Sequence, residues 1–310
     1  MKIHSGFQEW QSEKRTSVTL GNFDGVHIGH QKIVSRMVEL AGSHQIPSIA
    51  VTFDPVPKKI LQPDSAPPLI QTLEQRLNKL DSLGIDDAIV VEFNKPFARK
   101  TPDEFVHQFL IDLLKVKFFV VGEGFSFGHQ KQGDLSLLKQ MGGSFDFEVE
   151  AIPEVRDHGI RISSSQIRDF ILQGKMEDAF RFLGDPFAMI GTVIRGEQLG
   201  GKLGIPTANL NVENEIVPAK GVYVCKAKVG ADIYSAVTNI GVRPTFQGTK
   251  LTIEAHLLEY SGNLYDSRME LQFYRKLRDE KKFSGIEALK SQIHEDIRMA
   301  RTYWAQSPRS

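Results

Sequence analysis

Two histidines three residues apart, His27 and His30, stand in the segment Gly21-Asn22-Phe23-Asp24-Gly25-Val26-His27-Ile28-Gly29-His30. A short apolar run precedes the segment and a helical pattern follows it. On the first turn of a helix that spacing puts both rings on one side. The glycines permit tight turns and close approach of a phosphate, and a helix N-terminus adds N–H donors and partial positive charge. Imidazoles donating to a phosphate would stabilise the charge of an in-line displacement without a covalent intermediate. A metal site and two unrelated surface histidines are the competing readings, and no nearby carboxylate completes a metal set.

A second constellation begins at Gly191 and runs through Arg195-Gly196 to Gly200-Gly201-Lys202-Leu203-Gly204-Ile205-Pro206-Thr207-Ala208-Asn209. Its glycines suggest a loop whose N–H groups cradle phosphates. It lacks the Gly-Lys-Ser/Thr of a Walker A loop. Thr207 and Asn209 carry hard oxygen ligands two residues apart, on one side of an extended chain. That suits Mg²⁺, which takes one or two protein oxygens beside nucleotide phosphates. A Gly-rich hairpin without a ligand is the alternative.

The elements that must position these residues fall into two kinds of text. In the first half, apolar runs at 18–20, 48–53, 88–93, 118–121 and 145–151 alternate with helical spacing at Ile33, Met37 and Leu40 and at Leu73, Leu77 and Leu80. Gly84 fits a helix C-terminus. Thr101, Pro102 and Glu104 fit a capping box with proline at the first position. Such alternation predicts a parallel, doubly wound sheet, which binds ligands at the carboxyl ends of its strands. After the breaker Gly184-Asp185-Pro186, strands are expected at 189–194, 221–229, 234–240, 251–258 and 269–273, with no helical crossover. That pattern predicts a small antiparallel barrel. Ser284 and Glu287 open a last helix, whose Ile286, Leu289, Ile293, Ile297, Ala300 and Trp304 form an apolar face for core packing.

Composition narrows the classes further. Thirty-eight basic residues balance thirty-eight acidic ones, so the chain has no global field for nucleic acid or an anionic membrane. Cys225 is the single cysteine, which excludes an intramolecular disulfide and a cysteine zinc site. It lies in a strand-like run and reads as a buried, inert thiol. The opening residues lack the apolar core of a signal peptide, and no stretch approaches the ~20 apolar residues of a membrane span. The expectation is a soluble cytoplasmic protein, monomeric or weakly oligomeric.

The segment 21–30 resembles the nucleotidylyltransferase signature of the prokaryotic bifunctional riboflavin kinase/FAD synthetase family. Ile162-Ser163-Ser164-Ser165-Gln166-Ile167-Arg168 is similar to that family's second motif. The resemblance implies that Ser164, Ser165 and Arg168 hold the β- and γ-phosphates. Val121-Gly122-Glu123-Gly124-Phe125-Ser126-Phe127-Gly128 resembles its loop at the flavin end, implying roles for Gly122, Phe125 and Phe127. Gly124 stands where the family carries Asp or Asn, and Glu123 beside it is a candidate substitute.

The Gly-rich segment with Pro206-Thr207-Ala208-Asn209 resembles the riboflavin kinase signature. The stretches 238–246, with Asn239 and Arg243, and 253–258, with Glu254, match it too. Gly262-Asn263-Leu264-Tyr265-Asp266 departs mildly from the usual Gly-Asp-Leu-Tyr-Gly and is expected to alter only a turn. The resemblance implies a Rossmann-like nucleotidylyltransferase domain over 1–184 and a β-barrel kinase domain with a C-terminal helix over 185–310. It further implies Mg²⁺, with ATP as co-substrate and riboflavin, FMN and FAD as substrates and products. His27, His30, Arg168 and Glu254 would be catalytic, Glu254 as general base. Gly21, Asn22, Phe23, Asp24 and Gly25, with Gly196, Lys202, Gly204, Thr207 and Asn209, would bind nucleotide. Two alternatives stand beside this reading: a kinase with a weak or inactive adenylyltransferase module, and a non-catalytic flavin or nucleotide-binding regulator.

Overall fold

The computed structural model describes residues 1–196, 204–245 and 248–306, with 243–245 and 248–250 as backbone only. Packing divides the chain into two units, 1–68 with 72–164 and 69–71 with 165–310. Residues 165–184 cluster with the second unit.

The first unit contains β1 (Lys2–Ser5), β2 (Thr16–Leu20), α1 (Ile28–His44), β3 (Ser48–Phe53), α2 (Pro57–Leu61), α3 (Leu73–Ser82) and β4 (Asp87–Val91). There follow α4 (Lys95–Ala98), α5 (Pro102–Phe105) with a π-helical continuation over Val106–Leu113, β5 (Val116–Gly122), α6 (Leu135–Phe145), β6 (Glu148–Ile152) and the hairpin β7 (Arg156–Asp157) with β8 (Ile160–Arg161). Strands β1 to β6 form one sheet in the order β1-β4-β3-β2-β5-β6. Every neighbouring pair in it is parallel. All six residues of β3 are buried, as expected of a parallel strand covered on both faces. Alternate residues serve opposite cores: Ile49, Val51, Phe119 and Val121 pack with Phe105 and Leu138, while Ala50, Phe118 and Val120 pack with Val34, Met37 and Leu80.

The order reverses at β2, with β3 on one side and β5 on the other. That reversal opens a crevice beyond the carboxyl ends of β2 and β5, where doubly wound sheets take ligands. The expected capping box at Thr101 and Glu104 is present, and Gly84 adopts a left-handed φ of 81° after α3. The strand expected at 145–151 begins later. Phe145 belongs to α6, which stops at left-handed Asp146, and β6 begins only at Glu148.

In the second unit α7 (Ser164–Gln173) and α8 (Met176–Leu183) precede β9 (Phe187–Ile194), β10 (Ala208–Val212), β11 (Gly221–Val229), β12 (Asp232–Thr245), β13 (Gly248–Leu257), β14 (Arg268–Arg278) and α9 (Ile286–Gln306). Ser164, the first residue of α7, still packs with the first unit. The strands close in the order β10-β13-β12-β11-β14-β9, all antiparallel. Helix α9 packs Ile297, Ala300 and Trp304 against Val222, Val224 and Val237, and Arg278 grips the buried Asp296 at 2.7 Å. Ile286 is 65% exposed, so the apolar face of α9 reaches the core only beyond its first turn. Cys225 is buried in the barrel, and burial pushes its thiol pKa well up. No described helix is long and apolar enough to cross a membrane.

Candidate active sites

The loop between β2 and α1 carries three left-handed residues, Phe23 (φ 48°), Gly25 (φ 86°) and Val26 (φ 35°). A β-branched residue such as Val26 is strained there, so its surroundings must hold the loop in place. They do so carbonyl by carbonyl. Asn22 O accepts from Arg76 Nη1 at 2.9 Å, and Asp24 O from Ser164 Oγ at 2.8 Å. Phe23 O accepts from Val26 N at 3.0 Å, and Val26 O from Gln31 Nε2 at 2.8 Å. Because C=O and N–H of a trans peptide point opposite ways, these anchors turn the Phe23 and Gly25 N–H groups away from them.

His27 caps α1, its Nδ1 accepting from the His30 amide at 3.3 Å. A neutral His27 with Nδ1 as acceptor carries its proton on Nε2, leaving a donor for a phosphate oxygen. The two rings stack with centroids 3.8 Å apart, and Phe23 meets His30 edge-on at 5.4 Å. Burial lowers the His27 pKa to about 4, with the nearby Arg161 charge adding to the effect. Burial likewise holds His30 well below the ordinary histidine range, and its Nδ1 is buried with no hydrogen-bond partner among the described residues. Both rings are therefore neutral at pH 7, stacked at a helix start beside an arginine.

The loop after β5 borders the same crevice. Phe125 N donates to Gly122 O at 2.9 Å, and Phe125 and Phe127 stack at 5.8 Å. Phe127 is buried in the core and Phe125 half-buried against it. Gly124 is exposed, and a Cβ placed there would lie 4.0 Å from Arg161 Nη2. Arg161 is held by Glu154 at 2.8 Å. Glu123 accepts from the Glu154 amide at 3.3 Å, so its carboxylate is engaged with the backbone in this structure. Ser165 and Arg168 follow Ser164 in α7 but pack with the second unit.

In the barrel, strand register does the positioning. Asn209 on β10 and Asn239 on β12 both stand opposite Glu254 on the intervening β13. Directly opposed residues of neighbouring strands share a face, so the three form one row. Ile253, Ala255 and Leu257 turn the other way and are buried. A Cβ at Gly196 would overlap the Asn209 carboxamide and push it aside. His256, on the Glu254 side of β13, bonds through Nδ1 to Pro206 O at 2.8 Å and anchors the residue ahead of Thr207. Gly204 is left-handed at φ 76°. The donor set of Thr207 hydroxyl and Asn209 carboxamide oxygen fits Mg²⁺, which retains waters and phosphates as its other ligands. Lys202 and the Arg243 side chain lie outside the described residues.

Sequence reasoning singled out the histidines, the serines and the barrel row, but passed over Arg76, Arg161 and the anchoring by His256. Arg161 stands directly before the Ile162-Ser163-Ser164 motif, which is the one signal that pointed toward it.

Comparison with known proteins follows the same division. A FAD synthetase family model matches residues 9–166 and a riboflavin kinase model residues 183–304. A bifunctional riboflavin kinase/FMN adenylyltransferase from Pseudomonas fluorescens is 38% identical over 99% of this chain and 99% of its own. The Escherichia coli K12 protein of the same description is 34% identical, over 93% of this chain and 92% of its own. A solved structure from Streptococcus pneumoniae, described as a macrolide-efflux protein, is similar with a TM-score of 0.88 and 30% identity, over 96% of this chain and 98% of its own. The chain belongs to the bifunctional riboflavin kinase/FMN adenylyltransferase family, with its FAD synthetase domain first and its riboflavin kinase domain second.

Proposed function

We propose that this chain makes FAD in two steps at two sites. The kinase module, residues 185–310, transfers the γ-phosphoryl group of ATP to riboflavin. The module of residues 1–184 then transfers AMP from a second ATP to FMN, releasing pyrophosphate. The observation that supports this most is that one chain carries two unlike constellations. One is a stacked, neutral histidine pair at a helix start, and the other a carboxylate between two carboxamides on adjacent strands.

In the kinase step Glu254 takes the proton of the ribityl 5′-hydroxyl as that oxygen attacks the γ-phosphorus. Asn209 and Asn239 flank the carboxylate, and Arg243 and Lys202 are assigned to substrate contacts. Thr207 and Asn209 would hold Mg²⁺, which supplies charge neutralisation on the nucleotide phosphates. In the adenylyl step a phosphate oxygen of FMN attacks the α-phosphorus in line. His27 Nε2 and His30 donate to the phosphate oxygens, while Ser164, Ser165 and Arg168 hold the leaving pyrophosphate. The loop N–H groups of residues 21–25 line the same phosphates, and Gly122, Phe125 and Phe127 face the flavin. The cytoplasm is the site of action, with the chain monomeric or weakly oligomeric. Macrolide efflux, which describes the structural neighbour, is not adopted, because both family matches concern flavin chemistry.

A kinase with a weakened adenylyltransferase module is favoured by one observation: Gly124 offers no side chain beside Arg161. Incubating the purified chain with riboflavin, ATP and Mg²⁺ and following both products by chromatography separates the readings. FMN followed by FAD is expected. FMN alone would support the weakened module, and neither product would leave only the non-catalytic regulator.

A further inference from the structure

Arg76, on α3, is completely buried, which is rare for a guanidinium unless acceptors surround it. Its acceptors include the loop after β2 and the end of β3. Nη1 donates to Asn22 O at 2.9 Å after β2, and to Phe53 O at 3.3 Å and Thr52 Oγ1 at 3.4 Å at the end of β3. Nη2 meets Asp54 Oδ1 at 3.5 Å, and that carboxylate is 47% exposed. The fork therefore spans the carboxyl ends of two adjacent parallel strands.

Helix α3 is fixed for this task. Thr72 accepts from Gln75 N and Gln75 returns a bond to the Thr72 amide, so the first turn is locked. Arg76 N donates to Thr72 O at 3.0 Å, immediately inside that turn, and Leu77 and Leu80 bury the same helix in the core. The end that Arg76 reaches is the loop whose next residues, Phe23 and Val26, are left-handed. Such a loop keeps its shape only where neighbours over-determine it. Of its four held carbonyls, that of Asn22 is the one immediately ahead of this strained stretch.

We infer that Arg76 is a positioning residue for adenylyl transfer: by gripping the Asn22 carbonyl and the end of β3 together, it fixes the loop that presents His27 and His30 to the nucleotide phosphates. The inference rests on the assignment of those histidines to adenylyl transfer. Arg76 itself touches no substrate; it acts through the loop backbone. A lysine in its place keeps the charge but loses the planar fork, so it can hold the loop or the end of β3 but not both.

The test uses the full chain with Arg76→Lys, Arg76→Met and His27→Ala, measuring kcat and KM for ATP in FAD formation, FMN formation and thermal melting. Arg76→Lys is expected to lower kcat for FAD by about 10- to 100-fold, the scale of an ångström-level misplacement. KM for ATP should change by less than about threefold and FMN formation should be unaffected, since loss of positioning falls on the transition state. Arg76→Met should lose more; should it fail to fold, Arg76→Lys carries the test. An unchanged kcat for FAD in Arg76→Lys would overturn the inference. So would a rise in KM that tracks a lowered melting temperature, which marks a structural role alone. Loss of FAD formation in His27→Ala with none in Arg76→Lys would sink Arg76 and leave the histidines standing. An active His27→Ala would remove both.

Discussion

The two candidate sites are built by opposite means. In the α/β unit the reactive groups stand on a loop beyond the sheet, and its shape is held from a distance. Asn22 is gripped by a side chain 54 residues away and Asp24 by one 140 residues away. In the barrel the reactive groups stand on the strands themselves. The register Asn209–Glu254–Asn239 is part of the closed hydrogen-bond ladder, so forming the barrel forms the row. A loop site can place backbone N–H groups around a phosphate, which strands engaged in a ladder cannot. It depends in return on long-range anchors and tolerates left-handed residues only with them. A strand site offers side chains at fixed spacing, and the ladder itself sets their row.

If that contrast holds, damage to one site should leave the other working. The largest effect is expected from Glu254→Gln, which keeps the shape of the row and removes the carboxylate proposed as the base. FMN formation should fall by about 10²–10⁴, the range for a general base. FAD formation from supplied FMN should be unchanged. His27→Ala should do the converse, lowering FAD formation by about 10²–10³, the cost of one transition-state donor. Steady-state assays of both half-reactions on each variant check this, and a shared loss in either would break the separation of the sites.

The same contrast explains what the sequence revealed. The barrel strands were legible because each is an alternating run between turn residues, and their observed spans contain most of the expected ones. Which strands pair was not legible, and neither was β10, whose Ala208-Asn209-Leu210 text reads first as a ligand motif. In the α/β unit β1 was missed, since Lys2–Ser5 is short and polar and becomes a strand by pairing with β4. The histidine motif was plain because its chemistry is local. Its support was not. Arg76 follows Leu73 and precedes Leu77 like any solvated arginine on an amphipathic helix, and only the chain brought over it by the sheet makes it buried. The sequence likewise did not show that the Glu123 carboxylate accepts from the Glu154 amide, 31 residues away.

The smallest effect sharpens the contrast in solution. Burial lowers the His27 pKa to about 4, against an ordinary value of 6.5 in the unfolded chain, and His30 is lowered too. Below pH 6.5 the unfolded state binds protons that the folded pair refuses, so acid favours unfolding. The stability contributed by neutral His27 is thus complete above about pH 6.5 and is lost progressively as the pH falls toward 4. For His27 the gap corresponds to about 3 kcal/mol. The barrel row contains no imidazole, and His256 beside it is bonded at an exposed position. Thermal melting of the full chain between pH 7.5 and 5 should therefore fall more steeply for the native protein than for a His27→Gln, His30→Gln variant. The difference belongs to the α/β unit alone, and FMN formation should not follow it. Parallel melting curves would mean that the rings are hydrated and protonate freely, and the loop would then lose its distinction from the barrel as the desolvated site.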